Sequence, residues 1–154
     1  MKEKKPLILS LALSLGVGAL SAFLTRDSMK LYGNVIQPPL SPPPWVFPLV
    51  WTVLYILMGV AAYLVWRTEN PARETALAWY GAQLLFNFFW PQLFFNARSF
   101  GYALAWIIGL WLLVLITQRR FARIDRTAGL LLLPYLVWVT FAVYLNAGVW
   151  YLNQ

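Results

Sequence analysis

Two carboxamides and an indole share one face of a helix in the middle of this chain. Gln83, Asn87 and Trp90 stand at i, i+4 and i+7 within a run that carries no charge from Thr75 to Asn96, so an α-helix lines them up in one stripe. Two other charge-free runs hold stripes of the same kind. Trp51 and Tyr55 are followed at helical spacing by Met58 and Gly59, and Tyr135 and Trp138 by Ala142, Leu145 and Asn146. A polar side chain in apolar surroundings is costly unless it finds a partner, and any one of these amides is explained by a bond between two helices. Three matched stripes ask for more. Aromatic walls with a few amides suit a flat apolar ligand that has a small number of hydrogen-bonding atoms. The candidate ligand-binding set is Trp51, Tyr55, Gln83, Asn87, Trp90, Tyr135, Trp138, Ala142, Leu145 and Asn146.

Other chemistry is excluded by what is missing. The sequence has no Cys and no His, which removes disulfides, thiolate or imidazole ligation of zinc and haem iron, and His-based acid–base catalysis. No Asp, Glu, Lys or Arg falls inside an apolar run, so ion-coupled transport lacks its usual carrier group. A Ser or Tyr there has no neighbouring base to activate it as a nucleophile. The expectation is no metal site, no cofactor and no conventional catalytic residue.

The elements that hold the stripes follow from where charge is absent. The chain is 61% hydrophobic and 11% charged, against about 45–50% and about 25% in soluble domains. Its charges fall in short clusters separated by five long gaps, 6–25, 31–66, 75–96, 99–118 and 127–154. A spanning helix needs roughly 20 apolar residues to cross about 30 Å of hydrocarbon. The gaps therefore predict an all-α integral membrane bundle of five helices, near 6–24, 45–66, 75–95, 100–117 and 128–150, in one domain covering 1–154. Continuous apolar runs of this length are not the short alternating segments of a barrel. The first run is also longer than the core of a cleavable signal peptide, so it stays a helix.

Charge sets the expected orientation. Lys2, Lys4, Lys5, Arg67, Arg73, Arg119, Arg120, Arg123 and Arg126 fall on one side, and Arg26, Lys30 and Arg98 on the other. The positive-inside rule then places the N-terminus in the cytoplasm and the C-terminus outside a cell membrane. The net charge of +7 reads as topology, and no nucleic-acid partner is expected. Trp45, Trp66 and Trp150 fall at helix ends, where indoles form an interfacial belt. At 1.5 Å per residue, Trp51 and Trp90 lie roughly 8–9 Å below the outer ends, Asn87 and Tyr55 roughly 12–15 Å, and Gln83 and Trp138 roughly 18 Å. All face the outer half of the membrane. Above them runs a loop expected at 25–44, stiffened by Pro38, Pro39, Pro42, Pro43 and Pro44 and bearing Leu31, Tyr32, Val35 and Ile36. It is either a lid or a tether. Two ladders of small residues, Ser10, Ser14, Gly18 and Ala22, then Gly101, Ala105 and Gly109, allow close helix approach, within the bundle or across a dimer.

Three blocks give these stripes a wider context: PLSPPPWVFPLVWTVLYILMG from Pro39 to Gly59, QLLFNFFWPQLFF from Gln83 to Phe95, and PYLVWVTFAVYLN from Pro134 to Asn146. In that order they resemble the translocator protein family, which includes the tryptophan-rich sensory proteins of bacteria and the peripheral-type benzodiazepine receptor of mitochondria. The resemblance covers nearly the whole chain and points to a bacterial member. It implies a five-helix bundle, often a homodimer, with a pocket beneath the first loop. The ligands it implies are porphyrins such as protoporphyrin IX, synthetic isoquinoline carboxamides and benzodiazepines, and in animals cholesterol. Positions matching the family's pocket are Trp51, Asn87, Trp90, Trp138, Ala142 and Leu145. The animal sterol motif is not matched, since Ala147 and Tyr151 occupy the places of its Tyr and Arg.

The expected function is a membrane receptor or sensor that stacks a porphyrin among Trp51, Trp90 and Trp138. Asn87 and Gln83 would donate hydrogen bonds, and Arg26 and Lys30 would meet the propionates. Two alternatives follow from the resemblance. One is light-dependent porphyrin breakdown with Trp51 and Trp138 acting on the excited pigment, and the other is translocation of tetrapyrroles or lipids.

Overall fold

The computed structural model of the chain describes residues 4–31, 35–43 and 45–153, the side chains of 29–31 excepted. Among the described residues six α-helices and one π-helical turn make five rods. They are α1 (Lys4–Leu31), α2 (Val46–Trp66), α3 (Arg73–Pro91) with a π-helical turn at Gln92–Asn96, α4 (Phe100–Ile124), α5 (Arg126–Leu131) and α6 (Leu133–Leu152). No strand occurs among the described residues, in accord with the all-α membrane bundle expected. Lys4–Ser28, Val46–Trp66, Phe100–Ile124 and Arg126–Leu152 are each long and apolar enough to cross a bilayer. The rod built on α3 is less apolar, because Gln83 and Asn87 interrupt it. Both are buried, so hydrocarbon does not meet them.

The helix ends depart from the expected ones, each for a local reason. α1 continues past residue 24 to Leu31. Thr25 is buried and its hydroxyl donates to the Ser21 carbonyl at 2.9 Å, and no breaker precedes Gly33. The loop expected at 25–44 is shorter by that much. α4 runs on to Ile124, so Arg119, Arg120 and Arg123 lie on helix and not in a polar turn. The turn contracts to Asp125, whose extended backbone (φ −147°, ψ 116°) lets its carboxylate accept from the Ala128 amide at 3.0 Å, an N-cap for α5. The last span is two helices broken at Leu132, with Pro134 at the start of α6, where its missing amide is tolerated. Pro91 closes α3, and the chain widens into the π turn, where Ala97 N–H reaches the Gln92 carbonyl at 2.9 Å.

The rods close a ring in which α1 touches α2 and α3, α3 touches α4, α4 touches α5 and α6, and α5 touches α2. The first small-residue ladder works inside this ring. Ser10 Oγ donates to the Gly59 carbonyl and Ser14 Oγ to the Tyr55 carbonyl, both at 2.7 Å, so α1 lies backbone-close on α2. In the second ladder Gly101 faces the Trp150 indole and Gly109 faces Phe86, whereas Ala105 is exposed.

The described part of the first loop, residues 35–43, forms a strap that lies along the end of α6 through Ile36, Pro38 and Pro39. Pro39 and Leu40 make a turn in which Leu40 takes φ 72° and Ser41 Oγ donates to the Pro38 carbonyl at 2.7 Å. Tyr144 OH donates to the Pro39 carbonyl at 2.6 Å, while Asn153 accepts from Ile36 N–H at 3.1 Å and donates to its carbonyl at 2.8 Å. Pro38 is buried where α6 has Gly148, and a Cβ there would sit 2.5 Å from the proline ring. Gly148→Ala is therefore expected to lift the strap at a cost of about 1–3 kcal/mol, seen as a lower melting temperature and faster hydrogen exchange at the Ile36 amide. Of the loop residues expected over the helix ends, Val35 packs against the core and Ile36 is exposed. Tyr32 and the Leu31 side chain lie outside the described residues.

Candidate functional site

At the centre of the bundle a chain of buried hydrogen bonds joins three helices. Tyr55 OH donates to Asn87 Oδ1 at 2.5 Å, Asn87 Nδ2 donates to Tyr135 OH at 2.7 Å, and Tyr135 OH donates to Gln83 Oε1 at 2.6 Å. α2, α3 and α6 are thereby tied at one level. The i, i+4 spacing puts both amides of α3 within reach of the two phenols. Both polar atoms of Asn87 are occupied by neighbouring helices, while Gln83 Nε2 is buried without a partner. One turn towards the strap, Trp90 Nε1 donates to Asn146 Oδ1, and Asn146 Nδ2 donates to the Phe100 carbonyl, each at 2.9 Å. This second link joins α3, α6 and α4.

Between these links stands an aromatic cluster. Trp51 stacks on Tyr55 with ring centroids 5.7 Å apart, and meets Tyr135 at 6.3 Å and Trp138 at 6.4 Å edge to face. Phe47 meets Trp138 at 6.0 Å. The Trp138 indole N–H is buried and has no hydrogen-bond partner, an uncommon condition for indole in a protein interior.

Two cavities adjoin the cluster. One of about 110 Å³ lies between α1, α2 and α3, walled by Gly18, Ala22, Trp51, Tyr55, Asn87 and Trp90 among others. The other, about 20 Å³, lies between α2, α3 and α6, against Trp51, Trp90, Trp138, Ala142, Leu145 and Asn146. Trp51 and Trp90 wall both. The structure thus brings together all ten residues singled out in the sequence: eight line the cavities, and Gln83 and Tyr135 lie beneath them in the polar chain. Sequence reasoning missed Phe47 and Phe95, which face both cavities. Phe47 was legible, since it precedes Trp51 by four residues. It also missed the α1 wall of Gly18, Ser21, Ala22 and Thr25, whose small side chains leave the space.

Two expectations are revised by this geometry. No residue of 35–43 lines either cavity, so the described strap is fixed on α6 and does not form the cavity roof. Asn87 lines the larger cavity but has both its polar atoms bonded to neighbouring helices, and Gln83, whose Nε2 is unpartnered, lies beneath the cavities and lines neither. Arg26 lies one residue beyond Thr25 at the cavity edge, its guanidinium 4.0 Å over the Phe23 ring; the Lys30 side chain lies outside the described residues. Both cavities are also small beside the about 300–1,000 Å³ of typical ligand sites.

Known proteins share this pattern along nearly the whole chain. The chain is 38% identical to the tryptophan-rich protein TspO of Chlorobaculum tepidum over 99% of its length and 98% of that protein's. It is 40% identical to the tryptophan-rich sensory protein of Cereibacter sphaeroides, covering 96% and 91% of the two chains. Against the human translocator protein the identity is 36%, over 92% of this chain and 85% of the other. The family model of TspO/MBR matches residues 10–152. Five rods, four of them long and apolar enough among the described residues to cross a bilayer, the stripes on α2, α3 and α6, and these matches make it a multi-pass membrane protein that belongs to the TspO/MBR family.

Proposed function

We propose that this chain is a membrane receptor for porphyrins, with protoporphyrin IX as the type ligand, and for related planar hydrophobic molecules. The observation that carries the reading is the meeting of Trp51, Trp90 and Trp138 around two adjoining cavities, with the buried Trp138 N–H left unpartnered. Relatives named sensory protein and translocator protein support a sensing or translocating role. In this reading the ligand enters when the aromatic side chains turn and merge the cavities, because a tetrapyrrole exceeds either one. Indole faces stack on the macrocycle, the Trp138 N–H gains an acceptor, and Arg26, next in the chain to the cavity residue Thr25, turns from Phe23 to meet a propionate. With neither His nor Cys in the chain, the metal-free macrocycle is favoured over ligated haem. The basic ends of α1 and α4 lie in the cytoplasm, so the site opens in the outer half of the cell membrane; the homodimer rests on the resemblance alone.

The test is tryptophan-fluorescence quenching by protoporphyrin IX in purified wild type and in a Trp51→Phe/Trp138→Phe variant. Saturable quenching at micromolar or lower ligand in wild type, weakened at least tenfold in the variant, is expected. Non-saturable quenching, or identical curves, would mean that the pigment partitions into detergent and that the cluster is packing alone. The same samples under illumination separate breakdown from binding. Pigment that bleaches in wild type but is bound unchanged by single Trp→Phe variants would favour the photochemical alternative.

A further inference from the structure

At the opposite end of the bundle from the tryptophan cluster, a second cleft opens between α1, α2 and α3. It holds about 420 Å³ and is lined by Leu9, Leu13, Tyr63, Trp66, Leu77 and Tyr80 among others. Leu9 and Leu13 are largely exposed, so the cleft opens sideways into hydrocarbon. The Tyr80 hydroxyl at its inner wall is buried and completes no hydrogen bond.

The rim of this cleft is cationic. Pro6 and Trp66 line it, and their chain neighbours are Lys5 and Arg67. The Arg67 guanidinium lies 5.6 Å over the Tyr63 ring, and Arg73 Nη1 donates to the Trp66 carbonyl at 2.9 Å. Each guanidinium is oriented by a cleft residue and keeps further N–H donors for an anion. Across this end of the bundle Lys4, Lys5, Arg67, Arg73, Arg119, Arg120, Arg123 and Arg126 face Glu69, Glu74 and Asp125 alone among the described residues.

An apolar cleft at membrane depth beneath a basic rim fits one chemistry, an anionic head on an apolar tail. We infer that this cleft holds an anionic glycerophospholipid, its phosphate on Arg67 and Arg73 and one acyl chain along Leu9, Leu13 and Tyr80. A water-soluble anion would lack the tail that fills the cleft. A zwitterionic lipid would fill the cleft but gain less at the rim. The site is separate from the tryptophan cluster and shares no lining residue with it.

Gly81 supplies a clean probe. It lines the cleft, and a Cβ there meets nothing within 4 Å, so Gly81→Leu fills the cleft without moving the helices. Native mass spectrometry of the full chain with phosphatidylglycerol or phosphatidylcholine of matched chains reads the occupancy. Wild type is expected to retain phosphatidylglycerol at least fivefold over phosphatidylcholine. Arg67→Gln/Arg73→Gln should bring that ratio close to one, and Gly81→Leu should lose the bound lipid while still quenching with protoporphyrin IX. Arg119→Gln/Arg123→Gln removes the same charge from exposed positions of the same end and should keep the preference. An equal loss in both charge pairs, or full retention in Gly81→Leu, would reduce the effect to diffuse attraction and overturn the proposal. Displacement of the lipid by millimolar inorganic phosphate would overturn it in favour of a free-anion site.

Discussion

Gly18→Leu will keep α1 from docking on α2. A Cβ at this position would lie 2.2, 2.5 and 2.8 Å from three carbons of the Tyr55 ring, closer than any van der Waals contact. Tyr55 cannot yield easily, since its hydroxyl is bonded to Asn87 and its ring is stacked on Trp51. The helices must separate instead, and the Ser14 bond to the Tyr55 carbonyl goes with them. Even alanine should cost about 1–3 kcal/mol by overpacking, and leucine about 4 kcal/mol or more, enough to abolish folding of a marginal bundle. Gly16→Ala, where nothing lies within 4 Å of the added carbon, should be neutral or stabilising because alanine favours the helix. Unfolding of the purified proteins by heat or SDS compares the three. Gly18→Ala should cost less in a Tyr55→Leu background, which has already lost the ring and its bond to Asn87, than in wild type, because the two positions are coupled by contact. A Gly18→Leu protein that melts with Gly16→Ala would show that the close approach contributes nothing.

The number of helices was legible because burying a charge in hydrocarbon is so costly that the gaps between charges trace the spans. Helix ends were not legible on the same logic. Arg26, Asp27 and Lys30 mark where α1 leaves the bilayer, yet nothing in them stops a helix, and hydrogen bonding continues to Leu31. Arg119, Arg120 and Arg123 extend α4 in the same way. The breaks inside spans were visible as Pro91 and Pro134, but hydropathy counts a proline as one more tolerable residue and passes over the amide it lacks.

The candidate site divides along a similar line. Period-3.6 spacing fixed which residues of α2, α3 and α6 share a face, and those faces meet. Spacing says nothing of what a polar head points at. Asn87 could have faced a ligand or a neighbour, and only tertiary geometry puts the two phenols, Tyr55 and Tyr135, opposite it. The part played by α1 was hidden for another reason. Gly18 and Ala22 contribute to the cavity by what they lack, and a small residue reads equally well as packing. The strap's attachment depends on Tyr144, Gly148 and Asn153, over a hundred residues away in the chain, beyond any local pattern.

Whether the central hydrogen bonds serve packing or binding is settled by Asn87→Leu, which is expected to destabilise the fold by roughly 2–4 kcal/mol. The lost bonds themselves contribute little, since interhelical bonds in membranes average about 0.6 kcal/mol. The larger part comes from the Tyr55 hydroxyl, left buried without an acceptor; Tyr135 still has Gln83. Adding Tyr55→Phe removes that orphaned group and should restore most of the stability, because deleting both partners is far less costly than deleting one. The restored double variant then asks the functional question without the confounding effect of unfolding. If the polar chain only fastens α2 and α6 to α3, it will bind protoporphyrin IX as wild type does, with Trp51 and Trp138 still in place. If opening frees Asn87 to donate to the ligand, affinity will fall about tenfold or more, the loss of one good hydrogen bond in a dry site, while the melting temperature stays high. Thermal melts and quenching titrations on the same samples separate the two roles.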